Sequence, residues 1–135
     1  MQLKNPGEEK MKILLMDDDE KWLEAIDDLL KSNGHSVILC KNPEEAIKKI
    51  NRMIKFPDAY LADALVRDIN GEITDYFAAK TLFLHLREKR LDTRNFYIFT
   101  NHISDEDSQL AHKLGVKVIW KGDFDLLNNI FSKRR

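Results

Sequence analysis

Reactive side chains stand where apolar runs end. In KILLMDDDE, the apolar stretch Ile13-Leu14-Leu15-Met16 drives straight into the acids Asp17-Asp18-Asp19-Glu20. Ala59-Tyr60-Leu61-Ala62 ends at Asp63, Phe96-Tyr97-Ile98-Phe99 at Thr100, and Val116 to Trp120 at Lys121. Clustered carboxylates repel unless a cation neutralises them. A hard, oxygen-seeking cation suits them, and Mg²⁺ typically takes one or two carboxylates, waters and a phosphate oxygen. Lysine supplies a mobile positive charge for a phosphoryl oxygen, and threonine a hydrogen-bond donor. Together these are the parts needed to move a phosphoryl group onto an aspartate.

Such groups cooperate only if the fold gathers them. The apolar runs Ile13–Met16, Val37–Cys40, Ala59–Ala62, Phe96–Phe99 and Val116–Trp120 read as strands. Between them lie segments with helical spacing. Glu20 to Ser32 carries Leu23, Ile26, Leu29 and Leu30 on one face, and Gly34 stops it. Asn42-Pro43-Glu44-Glu45 opens a second helix, with Asn42 as cap and Glu45 reaching back, and with Ala46, Ile47, Ile50 and Ile54 as its buried stripe. A long helical region carries Tyr76, Phe77, Leu82, Phe83 and Leu86. Ser104-Asp105-Glu106-Asp107 opens a fourth helix closed by Gly115, and Asp123 caps a last one with Phe124, Leu127, Ile130 and Phe131. Strand–helix alternation with continuously apolar strands predicts an α/β fold: a doubly wound, five-stranded parallel sheet. Ligands of such sheets bind beyond the carboxyl ends of the strands, where Asp17, Asp18, Asp63, Thr100 and Lys121 would converge.

Bulk properties narrow the function. With 135 residues, 43% hydrophobic and 33% charged, the chain is sized for one folded domain. A net charge of −1 gives no general attraction for nucleic acid or an anionic membrane, and Lys133-Arg134-Arg135 reads as a basic end, 132–135. Cys40 is the single cysteine, so an intrachain disulfide is excluded and a reducing, cytoplasmic setting is expected. Residues 1–11 read as a flexible arm without a signal-peptide core, and no apolar run reaches membrane-span length. His35, His85 and His112 read as surface or partly packed groups, His102 as a neighbour of the site, and Trp22 and Trp120 as packing groups.

From Lys12 to Phe131 the sequence resembles the receiver domain of bacterial two-component response regulators. The resemblance rests on KILLMDDDE, FPDAYLADALVRDING, YIFTN and VKVIWKGDF. It implies a flavodoxin-like (βα)5 domain over 12–131 with strand order 2-1-3-4-5. It implies that Asp63 is the phosphoacceptor and that Asp17 and Asp18 hold Mg²⁺ together with Asp63 and the carbonyl of Leu65. Thr100 would bond a phosphoryl oxygen, and Lys121 would pair with the phosphoryl group or with Asp63 beforehand. The partners implied are a histidine kinase or phosphotransfer protein and a downstream protein, with homodimerisation allowed. The chain would not be an enzyme beyond its own phosphorylation and dephosphorylation.

The sequence departs from that pattern at Arg67 and Gly122, both usually Pro, at Val118, often Tyr or Phe, at Asn101, usually small, and in the length of Ile69 to Asn95, which exceeds the family's third helix and implies an insertion around Gly71 to Lys80. A cis step to Gly122 would cost roughly 2.5–4 kcal/mol, against about 0.5–1 kcal/mol for Pro. These departures support an alternative, a pseudo-receiver that binds proteins without phosphorylation. A further alternative is a small phosphatase of the haloacid-dehalogenase type, in which Asp17 is the nucleophile and Asp19 the acid/base.

Overall fold

The computed structural model describes residues 10–64, 66–67, 73–75, 78–101 and 105–131. The elements run β1 (Lys12–Met16), α1 (Glu20–Ser32), β2 (Ser36–Cys40), α2 (Pro43–Asn51), β3 (Ala59–Ala62), β4 (Val66–Arg67), β5 (Ile73–Asp75), α3 (Ala78–Glu88), β6 (Phe96–Thr100), α4 (Asp105–Leu114), β7 (Lys117–Trp120) and α5 (Phe124–Phe131). Five parallel strands form one sheet in the order β2-β1-β3-β6-β7, which is 2-1-3-4-5 counted along that sheet.

Alternate residues of each strand face opposite layers. Leu14, Met16, Tyr60, Ala62, Phe96 and Ile98 pack with α2, α3 and α4 residues such as Ile50, Leu82 and Ala111. Ile13, Leu15, Leu61, Tyr97 and Phe99 pack with Leu23, Ile26 and Leu30 of α1 and Leu127 and Phe131 of α5. Both sheet faces are therefore dry, which explains why the strands read as unbroken apolar runs. Polar side chains have only the strand ends left to occupy.

Local chemistry sets the helix limits. Asp19 caps α1 by accepting from the Lys21 amide at 2.9 Å, and Asn42 caps α2 by accepting from the Glu45 amide at 2.8 Å. Glu45 does reach back, though to the Lys41 amide at 3.4 Å. Gly34 takes a φ of +89° after α1, while the His35 amide donates to Leu30 and the Gly34 amide to Lys31, a Schellman closure. Gly115, with φ +73°, ends α4 in the same way.

Four readings change in three dimensions. Ile54 is fully exposed rather than buried, because α2 ends at Asn51 and the helical stripe ends with it. Met11, assigned to the flexible arm, is a core residue packed with α1 and α5. His35 is buried rather than superficial. Within the expected insertion, Ile73–Asp75 forms β5, which pairs antiparallel with β4, a strand that precedes the expected range. Tyr76 and Phe77 lie outside the described residues.

Candidate functional site

Strand register builds the site. Met16 pairs with Cys40 on one side and with Ala62 on the other, and Ala62 pairs with Ile98. The ladder continues one step past the strands: the Asp17 amide donates to Cys40 at 2.9 Å and the Asp63 amide to Met16 at 2.9 Å. Thr100 pairs with Trp120, and the Lys121 amide donates to the Thr100 carbonyl at 2.7 Å. Asp17, Asp63, Thr100 and Lys121 thus stand side by side on one rim, and all four are buried.

Asp17, Asp18 and Asp63 each bring a carboxylate oxygen within 4.8 Å of the others. The Lys121 ammonium sits among them, 2.5 Å from Asp17 Oδ2 and 3.2 Å from Asp63 Oδ2. The Asp63 contact is a hydrogen bond. The Asp17 contact is an ion pair, and among the described residues this buried oxygen meets no donor besides that ammonium. Its other oxygen accepts the Asp19 amide at 2.9 Å.

The charges bear the mark of this crowding. Burial pushes the Asp17 carboxyl above its ordinary range, against the opposing pull of Lys121 and the Asp19 amide. Burial alone would depress the Lys121 ammonium, but Asp63 and Asp17 outweigh it and hold it above its usual value. Among the described residues, the buried Asp17 and Asp63 and the half-buried Asp18 gather around the Lys121 ammonium in a low-dielectric place. The ligand atoms are all hard oxygens, and among the described residues one buried carboxylate oxygen has only the Lys121 ammonium beside it. That set fits a divalent cation of the Mg²⁺ type.

No family model and no curated protein matches the sequence. Solved structures match its fold. A two-component response regulator from Clostridium difficile superposes with a TM-score of 0.69 at 20% identity, covering 89% of this chain and 91% of that one. A CheY-like response regulator receiver domain protein from Methanospirillum hungatei JF-1 gives 0.69 at 22% identity, over 90% and 91% of the two chains. The BeF3-activated N-terminal receiver domain of Klebsiella pneumoniae RstA gives 0.67 at 21% identity, over 87% and 93%. The chain has the receiver-domain fold.

Within that fold, every candidate side chain from the sequence lies on the same rim: Asp17, Asp18, Asp63, Thr100 and Lys121. Leu65 lies outside the described residues, as does His102. Asp19 is turned to the α1 amides as a cap, so its carboxylate is engaged away from an acid/base role beside Asp17. Arg67 falls in β4. The peptide bonds among the described residues are all trans, Lys121–Gly122 included, and Lys121 still reaches both acids.

Gly122 has a local reason. The Trp120 indole lies across it and donates to the Asn101 carbonyl at 2.8 Å. A Cβ at position 122 would fall 2.5 Å from a Trp120 ring carbon, so any larger residue, proline included, would displace the indole. Sequence reasoning treated Trp120 only as packing. An aromatic one residue before a rim lysine, followed by glycine, was the signal that could have exposed this closure.

Proposed function

We propose that the chain is a phosphoacceptor signalling module in which Asp63 receives a phosphoryl group in a Mg²⁺-dependent reaction. One observation carries this reading: the Asp63 carboxylate is buried at the sheet rim, hydrogen-bonded to Lys121 and grouped with the Asp17 and Asp18 carboxylates. Asp17, Asp18 and Asp63 would hold the cation. When bound, Mg²⁺ supplies positive charge against the phosphoryl oxygens.

The chain's own groups do the rest. An Asp63 carboxylate oxygen attacks phosphorus, the bond from phosphorus to the donor's leaving group breaks, and the leaving group departs with the electron pair. An aspartyl phosphate remains. Lys121 moves from its contact with the Asp63 carboxylate to a phosphoryl oxygen, which keeps its charge compensated throughout. Thr100, buried on the neighbouring strand, offers a hydroxyl donor to the same group. A phosphorylated Asp63 adds charge beside the strand-end loops and alters the surface a protein partner meets. The donor side of such a module is a histidine kinase or phosphotransfer protein, and the output side a downstream protein. The chain itself is not an enzyme acting on other substrates.

The experiment is incubation with Mg²⁺ and acetyl phosphate, or with beryllofluoride, followed by mapping of the adduct. A Mg²⁺-dependent adduct on Asp63 is expected. An adduct on Asp17 would replace this reading with the phosphatase one. A second reading, the pseudo-receiver, is favoured by the departures at Arg67, Val118 and Gly122, the last of which lies against the Trp120 indole. Absence of any adduct, with the fold intact, would establish it in place of the first.

A further inference from the structure

The buried Lys121 ammonium rests against the Asp17 and Asp63 carboxylates, and aromatic rings border it as well. Its centre lies 5.9 Å from the Trp22 ring and 5.9 Å from the Phe99 ring, within reach of an aromatic face. Phe99 belongs to β6 and is buried, so its place follows from the sheet. Trp22 comes from the first turn of α1 and is only half-buried. It stacks on Phe124 of α5 with centroids 6.1 Å apart and planes inclined by 28°. Phe124 stands three residues past Lys121, at the start of the next helix. The indole is thus held by the element that follows the lysine while lying against the lysine's charge.

We infer that Trp22 is a positioning residue for Lys121, an aromatic wall that holds the ammonium at the acid cluster without offering an acceptor that competes with the carboxylates. The inference rests on the phosphoacceptor reading for its consequence, and on ring geometry for its existence. An ammonium displaced toward solvent would gain hydration and lose its grip on Asp63. With Trp22 in place, its short path leads from the Asp63 carboxylate to a phosphoryl oxygen.

Three measurements test it. NMR of ¹³C-lysine-labelled protein should show ring-current-shifted Lys121 methylenes that move back toward ordinary positions in Trp22→Leu and are largely kept in Trp22→Phe. The rate of Asp63 labelling by acetyl phosphate should fall about three- to tenfold in Trp22→Leu and stay within about twofold in Trp22→Phe. In a Lys121→Met background, Trp22→Leu should leave the residual rate unchanged, since its effect passes through the lysine. Unshifted Lys121 methylenes in the wild type would overturn the inference. So would equal rates in wild type and Trp22→Leu, an equal fall in both Trp22 variants, or a further fall in the Lys121→Met background. Absence of labelling in the wild type would instead count against the phosphoacceptor reading, and the NMR shifts would still decide whether Trp22 holds Lys121.

Discussion

The two ends of the sheet both bury polar groups, and they treat them differently. At the amino end, His35 accepts the Met11 amide at Nδ1 over 3.0 Å and places Nε2 2.5 Å from the Phe131 carbonyl, which fixes the ring as the Nε2–H tautomer. Asp58 accepts the Lys12 amide at 2.8 Å, and Asn95 donates to the Asp58 carbonyl at 3.3 Å. Each buried side chain there answers a backbone group, so it joins strands to loops and to the end of α5. At the carboxyl end, Asp17, Asp63 and Lys121 lean on one another, side chain against side chain. Polar groups satisfied by backbone act as joints. Charges balanced mainly against each other form a cluster that a cation or a phosphoryl group can re-balance.

Substitutions can break this contrast. The largest effect is expected from Asp63→Asn, which should abolish labelling by acetyl phosphate while the protein remains folded by circular dichroism. Labelling that persists elsewhere on the rim would remove Asp63 from its role. Lys121→Met should destabilise the protein by about 3–5 kcal/mol, because it strips the compensating charge from buried acids. Millimolar Mg²⁺ should return part of that loss and should raise the melting temperature of this variant more than that of the wild type. Equal Mg²⁺ shifts in both proteins would argue against a cation site formed by these carboxylates.

His35→Ala should cost about 2–3 kcal/mol by orphaning the Met11 amide and the Phe131 carbonyl. Because its role is that of a joint, urea unfolding should register the loss while Mg²⁺ affinity and the Asp63 labelling rate stay at wild-type levels. A changed labelling rate would show that the two ends communicate. Tyr60 sharpens the comparison from the interior, since its hydroxyl is buried with no hydrogen-bond partner among the described residues and burial holds the phenol well above its ordinary range. Tyr60→Phe should leave stability unchanged or raise it by up to about 1 kcal/mol. A clear loss in urea unfolding would mean that the hydroxyl is satisfied in solution.

The smallest effect concerns Cys40, which sits directly under the rim and whose carbonyl accepts the Asp17 amide. Burial pushes its thiol up to about 11, so at pH 8 only about one thiol in a thousand is the reactive thiolate. Reaction with a disulfide reagent should be slow in the native protein, with or without Mg²⁺, and fast in denaturant. Mg²⁺-dependent labelling would mean that the rim opens when the cation binds.

Much of this architecture was written locally. Apolar runs of strand length fixed the five strands of the main sheet to within a residue, and the Asn42 cap and the glycine stops after α1 and α4 placed those helix ends. Parallel register then carried Asp17, Asp63, Thr100 and Lys121 to one rim: Asp17 and Asp63 follow the paired Met16 and Ala62, and Thr100 and Lys121 stand one and two residues farther along their own strands. Periodicity and caps are encoded in neighbouring residues, and a shared strand end needs only the correct sheet order. Contacts between residues distant in sequence needed the folded chain. Ile54 fits the helical period, yet the helix stops before it. His35 became a joint only when the end of α5 closed on β2, and Gly122 makes sense only beneath the Trp120 ring. The Trp22 ring reached Lys121 only when α1 and α5 packed on the same face. By itself the sequence determined which groups end the strands. The tertiary structure decided which of them are compensated, and by what, since compensation depends on distances that no local pattern records.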